Sequence, residues 1–247
     1  MRLAVFSDVH GNLEALEAFR EDAAAWKVEQ YICLGDIVGY GAEPDTCVRR
    51  VMALPGIQSV VGNHDRTAAT AGPVYDMSPD AGQAIRWTRK RLSPGSRRFL
   101  EGMQPTLKAA GMIFAHATPH LPLEWHYTLT RENTFRSFAR SREKIIFVGH
   151  THVPQLITKS GFFRIEYEST QEEGAVFSLK NRKRVMVNCG SIGQPRDTDA
   201  RISYVIYDTE RETLIFRRVP YDCGSAAAKI RSAGLPDALA SRLFSGI

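Results

Sequence analysis

Five short apolar runs in the first 152 residues each end in a cluster of aspartate, histidine or asparagine. This repeated ending constrains the fold more than any other feature of the chain. Asp8-Val9-His10 follows the run 3–6, Gly35-Asp36 follows 31–34, and Gly62-Asn63-His64-Asp65 follows 57–61. His116 follows 112–115, and Gly149-His150-Thr151-His152 follows 145–148. In an α/β sheet the loops at the carboxyl ends of strands share one rim, so residues more than a hundred positions apart can converge there. Taken singly, each cluster is a weak signal that a turn, a cap or a satisfied core histidine would explain. Together they hold five of the seven histidines, with three aspartates and an asparagine. A solvated surface has no reason to concentrate them so.

Between the runs lie helical patterns. Asn12 stands as an N-cap before Leu13, Leu16, Phe19, Ala23 and Trp26, apolar positions that recur every three or four residues. A second helix is predicted from Pro44 to near Leu54, giving β-α-β-α-β. Residues 67–107 read as a helical insertion without strands, in which Ser78-Pro79 and Ser93-Pro94 each resemble an N-cap followed by proline at the first helical position. The segment 120–138 is rich in aromatics and histidine. From Gln155 the pattern is strand-like, with 175–179 and 185–188 around the polar turn 180–184, a hairpin over 202–207 and 214–219, and a helical tail over 224–247. With no repeat, low-complexity tract or linker, the expectation is a single domain over 1–247.

Composition narrows the function classes. The chain has 247 residues, 43% hydrophobic and 24% charged, enough for a sizeable core. No stretch approaches the ~18 apolar residues of a membrane span, and Leu3-Ala4-Val5-Phe6 is too short for a signal-peptide core, so a cytoplasmic protein without a membrane partner is expected. Cys33, Cys47, Cys189 and Cys223 form no Cys-x-x-Cys pair, which argues for reduced thiols rather than a zinc ribbon or disulfide framework. The net charge of +5 is modest. Basic residues gather at Arg86, Arg89, Lys90, Arg91, Arg97 and Arg98 and at Lys180, Arg182, Lys183 and Arg184, read as solvated helix faces and turns. No helix-turn-helix or stacking aromatic motif accompanies them, so there is no firm nucleic-acid signal.

The donor types specify chemistry. Carboxylate, imidazole and one amide oxygen, without thiolate, suit borderline or hard divalent ions such as Mn, Fe, Zn, Co or Ni. A carboxylate can bridge two ions. Two metals about 3.5–4 Å apart polarise a phosphoryl oxygen, lower the pKa of a bridging water and clamp the attacking and leaving oxygens in line. That is phosphoester hydrolysis.

Asp8-x-His10, Gly35-Asp36-x-x-Gly39, Gly62-Asn63-His64-Asp65 and Gly149-His150-x-His152 resemble the signature of calcineurin-like metallophosphoesterases. With Ser7 to Asn12 and the later Gly190-Ser191-Ile192-Gly193-Gln194-Pro195-Arg196-Asp197, the chain is similar to the compact bacterial and archaeal phosphodiesterase branch. The resemblance implies an α/β, four-layer fold: two facing mixed β-sheets flanked by helices, with a dinuclear metal site at one rim. It implies Asp8, His10 and His152 on the first metal, Asn63, His116 and His150 on the second, and Asp36 bridging. His116 lies in an Ala115-His116-Ala117 context where the family usually has an adjacent glycine. His64 would meet the leaving-group oxygen as acid or hydrogen-bond donor, with Asp65 fixing its orientation and proton.

Further residues are candidates for substrate contact. Asn12 and Arg196 are named as such, Asn12 also as a cap and Arg196 also as a salt-bridge partner. Tyr40, His120, His126 and Tyr127 are possible pocket walls or core. The expected activity is a two-metal phosphodiesterase acting on a small phosphoester, with nucleotides among the candidates. The alternatives are a non-catalytic metal-binding scaffold for protein–protein interaction and a nuclease using the same site. Retention of His64 argues for a catalyst.

Overall fold

The computed structural model describes residues 1–247 apart from 71, 73, 75, 76, 162, 163, 169, 171 and 173. Strand β1 (Arg2–Phe6) leads to helix α1 (Leu13–Ala25), where Asn12 Oδ1 accepts from the Ala15 amide at 3.2 Å and Leu16, Phe19 and Ala23 are buried. β2 (Gln30–Cys33), α2 (Pro44–Met52) and β3 (Gln58–Ser59) complete the expected β-α-β-α-β start. Next come α3 (Asn63–Ala69), α4 (Pro79–Arg89) and α5 (Pro94–Gly102). Ser78 and Ser93 cap the last two, whose first position suits proline because its missing amide would have no helical partner. β4 (Thr106–Ala109), β5 (Met112–Ala115), α6 (Arg131–Arg140), β6 (Ile145–Val148), β7 (Gln155–Lys159) and β8 (Ile165–Glu168) follow. The chain ends with β9 (Val176–Ser178), β10 (Arg184–Asn188), β11 (Ile202–Asp208), β12 (Thr213–Val219), α7 (Cys223–Ser232) and α8 (Asp237–Ser241).

The strands form two mixed six-stranded sheets, ordered β3-β2-β1-β11-β12-β9 and β4-β5-β6-β10-β7-β8. Leu3, Val5, Ile32, Val205 and Phe216 of the first sheet join Phe114, Phe147, Leu156, Val185 and Val187 of the second in one buried cluster. The outer face of the first sheet, through Phe6 and Tyr204, packs against Phe19 of α1 and Val48 of α2. That of the second, through Ile113, Ile146 and Met186, packs against Phe138 of α6. The layering is therefore helix, sheet, sheet, helix, because strands buried on both faces need cover on both. Among the described residues no helix is long and apolar enough to cross a membrane.

Direction decides where the loops go. β1, β2 and β3 run parallel, as do β5, β6 and β10. The loops after β1, β2, β3, β5 and β6 are the ones that carry the clustered aspartates and histidines.

Three expectations change. The strand-like runs on either side of the polar turn 180–184 lie in different sheets: β9 pairs with β12 in the first, while β10 lies between β6 and β7 in the second. The chain crosses between sheets there, with Leu179 buried in the core between them. The insertion 67–107 ends in a strand, β4, paired with β5 through the left-handed pair Ala110 and Gly111. Four positions of that insertion lie outside the described residues. The aromatic segment contains α6, capped by Thr130 and anchored by buried Phe138.

Some of the clustered basic residues have structural partners. Arg89 donates to the Thr67 and Gly72 carbonyls and Arg97 to those of Ala68, Ala69 and Arg89, so both hold the carbonyl end of α3 rather than a solvated face. Cys33, Cys47, Cys189 and Cys223 are free thiols, the first three buried.

Candidate metal centre

The loops after the strands are zipped to one another by backbone hydrogen bonds. Asp8 N donates to Gly35 O at 3.0 Å, His10 N to Asp36 O at 2.9 Å, and Gly149 N to His116 O at 2.8 Å. The turn 190–196 closes the ring, with Gly193 N on Asp8 O at 2.7 Å. Asp8, His10, Asp36, His150 and His152 all have left-handed backbone, at φ between 49° and 65°. Such a conformation costs about 1–2 kcal/mol per residue, so the surrounding network must hold each one. Gly62 is required by close approach: a Cβ there would lie 2.0 Å from Asp36 Oδ1.

Two groups of side chains result. In the first, His152 Nε2 lies 3.2 Å from Asp8 Oδ1 and 3.1 Å from His10 Nε2. In the second, His116 Nε2 lies 3.2 Å from Asn63 Oδ1 and 3.0 Å from His150 Nδ1. Asp36 stands between them, its Oδ2 3.9 Å from His10 Nε2 and 3.3 Å from His116 Nε2. Its Oδ1 accepts the His64 amide at 2.8 Å, which fixes the carboxylate plane. Asp8, His10, Asp36, His116, His150 and His152 are all buried.

Each imidazole is oriented from behind. His10 Nδ1 donates to Val38 O at 3.1 Å, His116 Nδ1 to Leu34 O at 2.9 Å, and His152 Nδ1 to Gln194 O at 2.5 Å. His150 is turned the other way, its Nε2 on Trp125 O at 2.9 Å, so Nδ1 faces the cluster. A carbonyl only accepts, so these bonds fix the tautomers, as the outer partners of metal-binding histidines do. Lone pairs on His10 Nε2 and His152 Nε2 then face each other, and Asp8 Oδ1 beside them is buried without a hydrogen bond. Three acceptors aimed at one point with no donor between them fit a cation.

The electrostatics agree. Burial pushes the His64 imidazole down to about 4 and that of His150 down to about 3, and it holds His10 well below the ordinary histidine range. Burial raises the Asp36 carboxyl, but His116, His64 and His10 together outweigh it and hold Asp36 well below the usual carboxylate range. His116, despite burial, is raised to about 9 by Asp36. Ionised carboxylates beside neutral imidazoles are the protonation forms that bind metals, and at His116 a cation competes with a proton. The donor atoms of Asp8, His10 and His152 lie within 4.8 Å of one another, as do those of Asp36, His116 and His150 and those of His10, Asp36 and His64.

The remaining predicted residues divide. His64 lines a cavity of about 340 Å³ together with Asp36, Asn63, Tyr40, Tyr127 and Arg196. Its ring lies 4.9 Å from that of His10 and 4.6 Å from that of Tyr40, and Nδ1 has no hydrogen-bond partner. Asp65 makes no hydrogen bond to that ring: its two oxygens accept the Val38 amide at 3.1 Å and the Gly62 amide at 3.3 Å. At the third position of α3 it reaches back to the helix start, as acidic residues there do. Burial and Asp36 raise its carboxyl to about 7. Asn12 caps α1 and donates to Gly193 O at 2.9 Å and Tyr221 Oη at 3.3 Å, and it is not among the residues lining this cavity.

Arg196 makes no salt bridge among the described residues and bonds Tyr40 and Gln194. His126 lines a neighbouring cavity of about 510 Å³ with Trp125 and Tyr127, and His120 lies apart beside Ser137. Arg242, in the tail, also lines the first cavity. It belongs to no motif, and its place depends on how the tail packs.

Comparison with known proteins completes the picture. The calcineurin-like phosphoesterase superfamily domain matches residues 1–212. A metallophosphoesterase from Sphaerobacter thermophilus is 35% identical and superposes with a TM-score of 0.90, covering 100% of this chain and 99% of that one. An uncharacterized protein of Methanocaldococcus jannaschii is 35% identical over 99% of this chain and 98% of its own length. A hypothetical protein from Pyrococcus horikoshii OT3, 18% identical, shares the fold with a TM-score of 0.79 over 100% of this chain and 98% of that one. Matched along most of its length by the family pattern, and carrying buried Asp and His groups that could hold metal, the chain belongs to the calcineurin-like phosphoesterase superfamily.

Proposed function

We propose that the protein is a phosphodiesterase that works with two divalent cations at the rim where the two sheets meet. Asp8, His10 and His152 would hold one ion, Asn63, His116 and His150 the other, and Asp36 both. The observation that carries this reading is Asp36 Oδ2, which approaches His10 on one side and His116 on the other. A pair of ions so held polarises phosphoryl oxygens and acidifies water, the chemistry phosphoester hydrolysis requires.

The residues around that centre position the substrate. His64, fixed by the start of α3 and packed between His10 and Tyr40, lines the cavity, with its Nδ1 buried on the Gly39 side. It would give a hydrogen bond to the oxygen that departs, stabilising charge as it develops there. Asp65 would act on His64 through the backbone, by holding the Gly62 and Val38 amides. A diester is favoured over a monoester because the two cavities share Asn63, Met77, Tyr127 and His150. A phosphodiester has two organic arms and can fill both. A single domain built around this centre accounts for the shared core between the sheets.

The test is a panel of phosphomonoesters, linear and cyclic diesters, dinucleoside polyphosphates and oligonucleotides, each assayed after reloading with Mn, Fe, Zn, Co or Ni. A diester should be hydrolysed at least ~10-fold faster than its matching monoester, a preference of about 1.4 kcal/mol, and chelation should abolish turnover. Preference for the monoester would overturn the diesterase assignment, and inertness of the loaded protein toward every ester would replace it with the scaffold reading.

A further inference from the structure

The metal-ligand cluster forms one wall of the 340 Å³ cavity, and two arginines from distant parts of the chain contribute another. Arg196 follows the turn 190–195, and Arg242 opens the 3-10 turn Arg242–Phe244 in the C-terminal tail. Both converge on one acceptor, Gln194 Oε1, which takes Arg196 Nη2 at 2.8 Å and Arg242 Nη1 at 3.4 Å. Arg196 Nη2 also reaches Tyr40 Oη at 3.3 Å. Among the described residues neither guanidinium has a carboxylate partner, and the adjacent Asp197 is taken by buried Arg218. The Nε atoms of both are buried without a hydrogen bond.

Arg20 and Arg218 also leave Nε without a hydrogen bond, but there Glu17 and Asp197 balance the charge, and other enclosed arginines are likewise matched. Arg217 forms a two-pronged pair with Asp22, Arg182 pairs with Glu168, and Arg89 and Arg97 are satisfied by carbonyls. At the cavity, two like charges share a single neutral oxygen with no carboxylate beside them among the described residues, an arrangement whose charge an anion would balance. Guanidinium forks match the oxygens of a phosphate, and two forks converging match a dianion.

We propose that Arg196 and Arg242 form a subsite for a second phosphoryl group adjoining the scissile one, which makes the substrate a diphosphate or polyphosphate ester. This rests on the phosphodiesterase reading and adds the substrate class. Hydrolysis consumes one water: its oxygen joins the scissile phosphorus, the bridging P–O bond breaks, and the departing oxygen takes the proton. The arginine pair holds the neighbouring phosphoryl throughout.

Calorimetric titration of the Mn²⁺-loaded protein with AMP and with ADP, with Mn²⁺ in excess over nucleotide, isolates the second phosphoryl, since the two ligands are otherwise the same. ADP should bind at least ~10-fold more tightly than AMP, as expected for charge-assisted hydrogen bonds. Arg242→Gln should erase that advantage while AMP affinity stays within ~3-fold, and Arg242→Lys, which keeps the charge without the fork, should restore part of it. Equal affinity for AMP and ADP in the wild type overturns the proposal, as does a variant pair that weakens both nucleotides alike. The titration reads binding and not turnover. A protein that prefers ADP yet hydrolyses no ester would refute the phosphodiesterase reading and leave the subsite standing, whereas an active diesterase indifferent to the second phosphoryl would do the reverse.

Discussion

At the start of α3 three consecutive side chains take three different directions. Asn63 Oδ1 faces His116, His64 faces the cavity, and Asp65 turns back to the loop amides. The helical advance of about 100° per residue separates them. Gly39, at φ +97°, clears the space for the His64 ring, since a Cβ there would lie 2.3 Å from Nδ1. If His64 assists departure, His64→Ala should keep the fold and its metals while lowering turnover of an alkyl or nucleoside diester by ~10²–10⁴-fold. A nitrophenyl diester should lose less, because nitrophenolate departs without much assistance. Rates on both substrates, measured with metal content matched to the wild type, check this, and equal rates for variant and wild type would remove His64 from the chemistry. At this scale the sequence was most informative where strand ends coincide with Asp, His and Asn, because parallel strands deliver those ends to one rim. It was least informative for Asn12 and Arg242. A cap and a ligand-binding amide look alike in one dimension, and the tail's position depends on packing against distant helices.

Between elements, Asp22 ties α1 to the first sheet. It accepts from Arg217 of β12 at 2.8 and 2.9 Å and from Tyr204 of β11 at 2.5 Å. Burial raises the Asp22 carboxyl, but Arg217 and Tyr204 outweigh it and hold it below the usual value of 3.8. A carboxyl depressed in the folded state stabilises the protein above its unfolded pKa, and that stabilisation is lost as pH falls through the folded one. Asp22→Asn should therefore cost about 1–3 kcal/mol at neutral pH, and the deficit should shrink below pH 3.8. Denaturant melts of both proteins across that range test it, and a deficit independent of pH would assign the loss to packing. Apolar periodicity marked α1, Pro44 marked the start of α2, and the Ser-Pro pairs marked α4 and α5, all of them local signals. It missed β4, whose turn uses Ala110 and Gly111 in place of a stronger turn pair. It placed 175–179 and 185–188 around a polar turn without showing that they belong to different sheets, because sequence adjacency cannot tell a hairpin from a crossing between two sheets.

Across the whole molecule, the two sheets share an apolar core along their inner faces and meet again at the candidate metal centre. His10 and Asp8 come from the first sheet and His152 from the second, while Asp36 reaches from the first sheet to His116 of the second. Each proposed ion would thus join both sheets, with Asp36 common to the two. That makes the number of ions the most direct reading of the account. Metal analysis of the protein reconstituted with Mn²⁺ should approach two equivalents per chain, and Asp36→Ala should loosen both sites together, since losing the shared carboxylate leaves each cation with less charge compensation. A wild-type protein that never exceeds one equivalent in excess Mn²⁺, or an Asp36→Ala protein that keeps both ions at unchanged affinity, would contradict it.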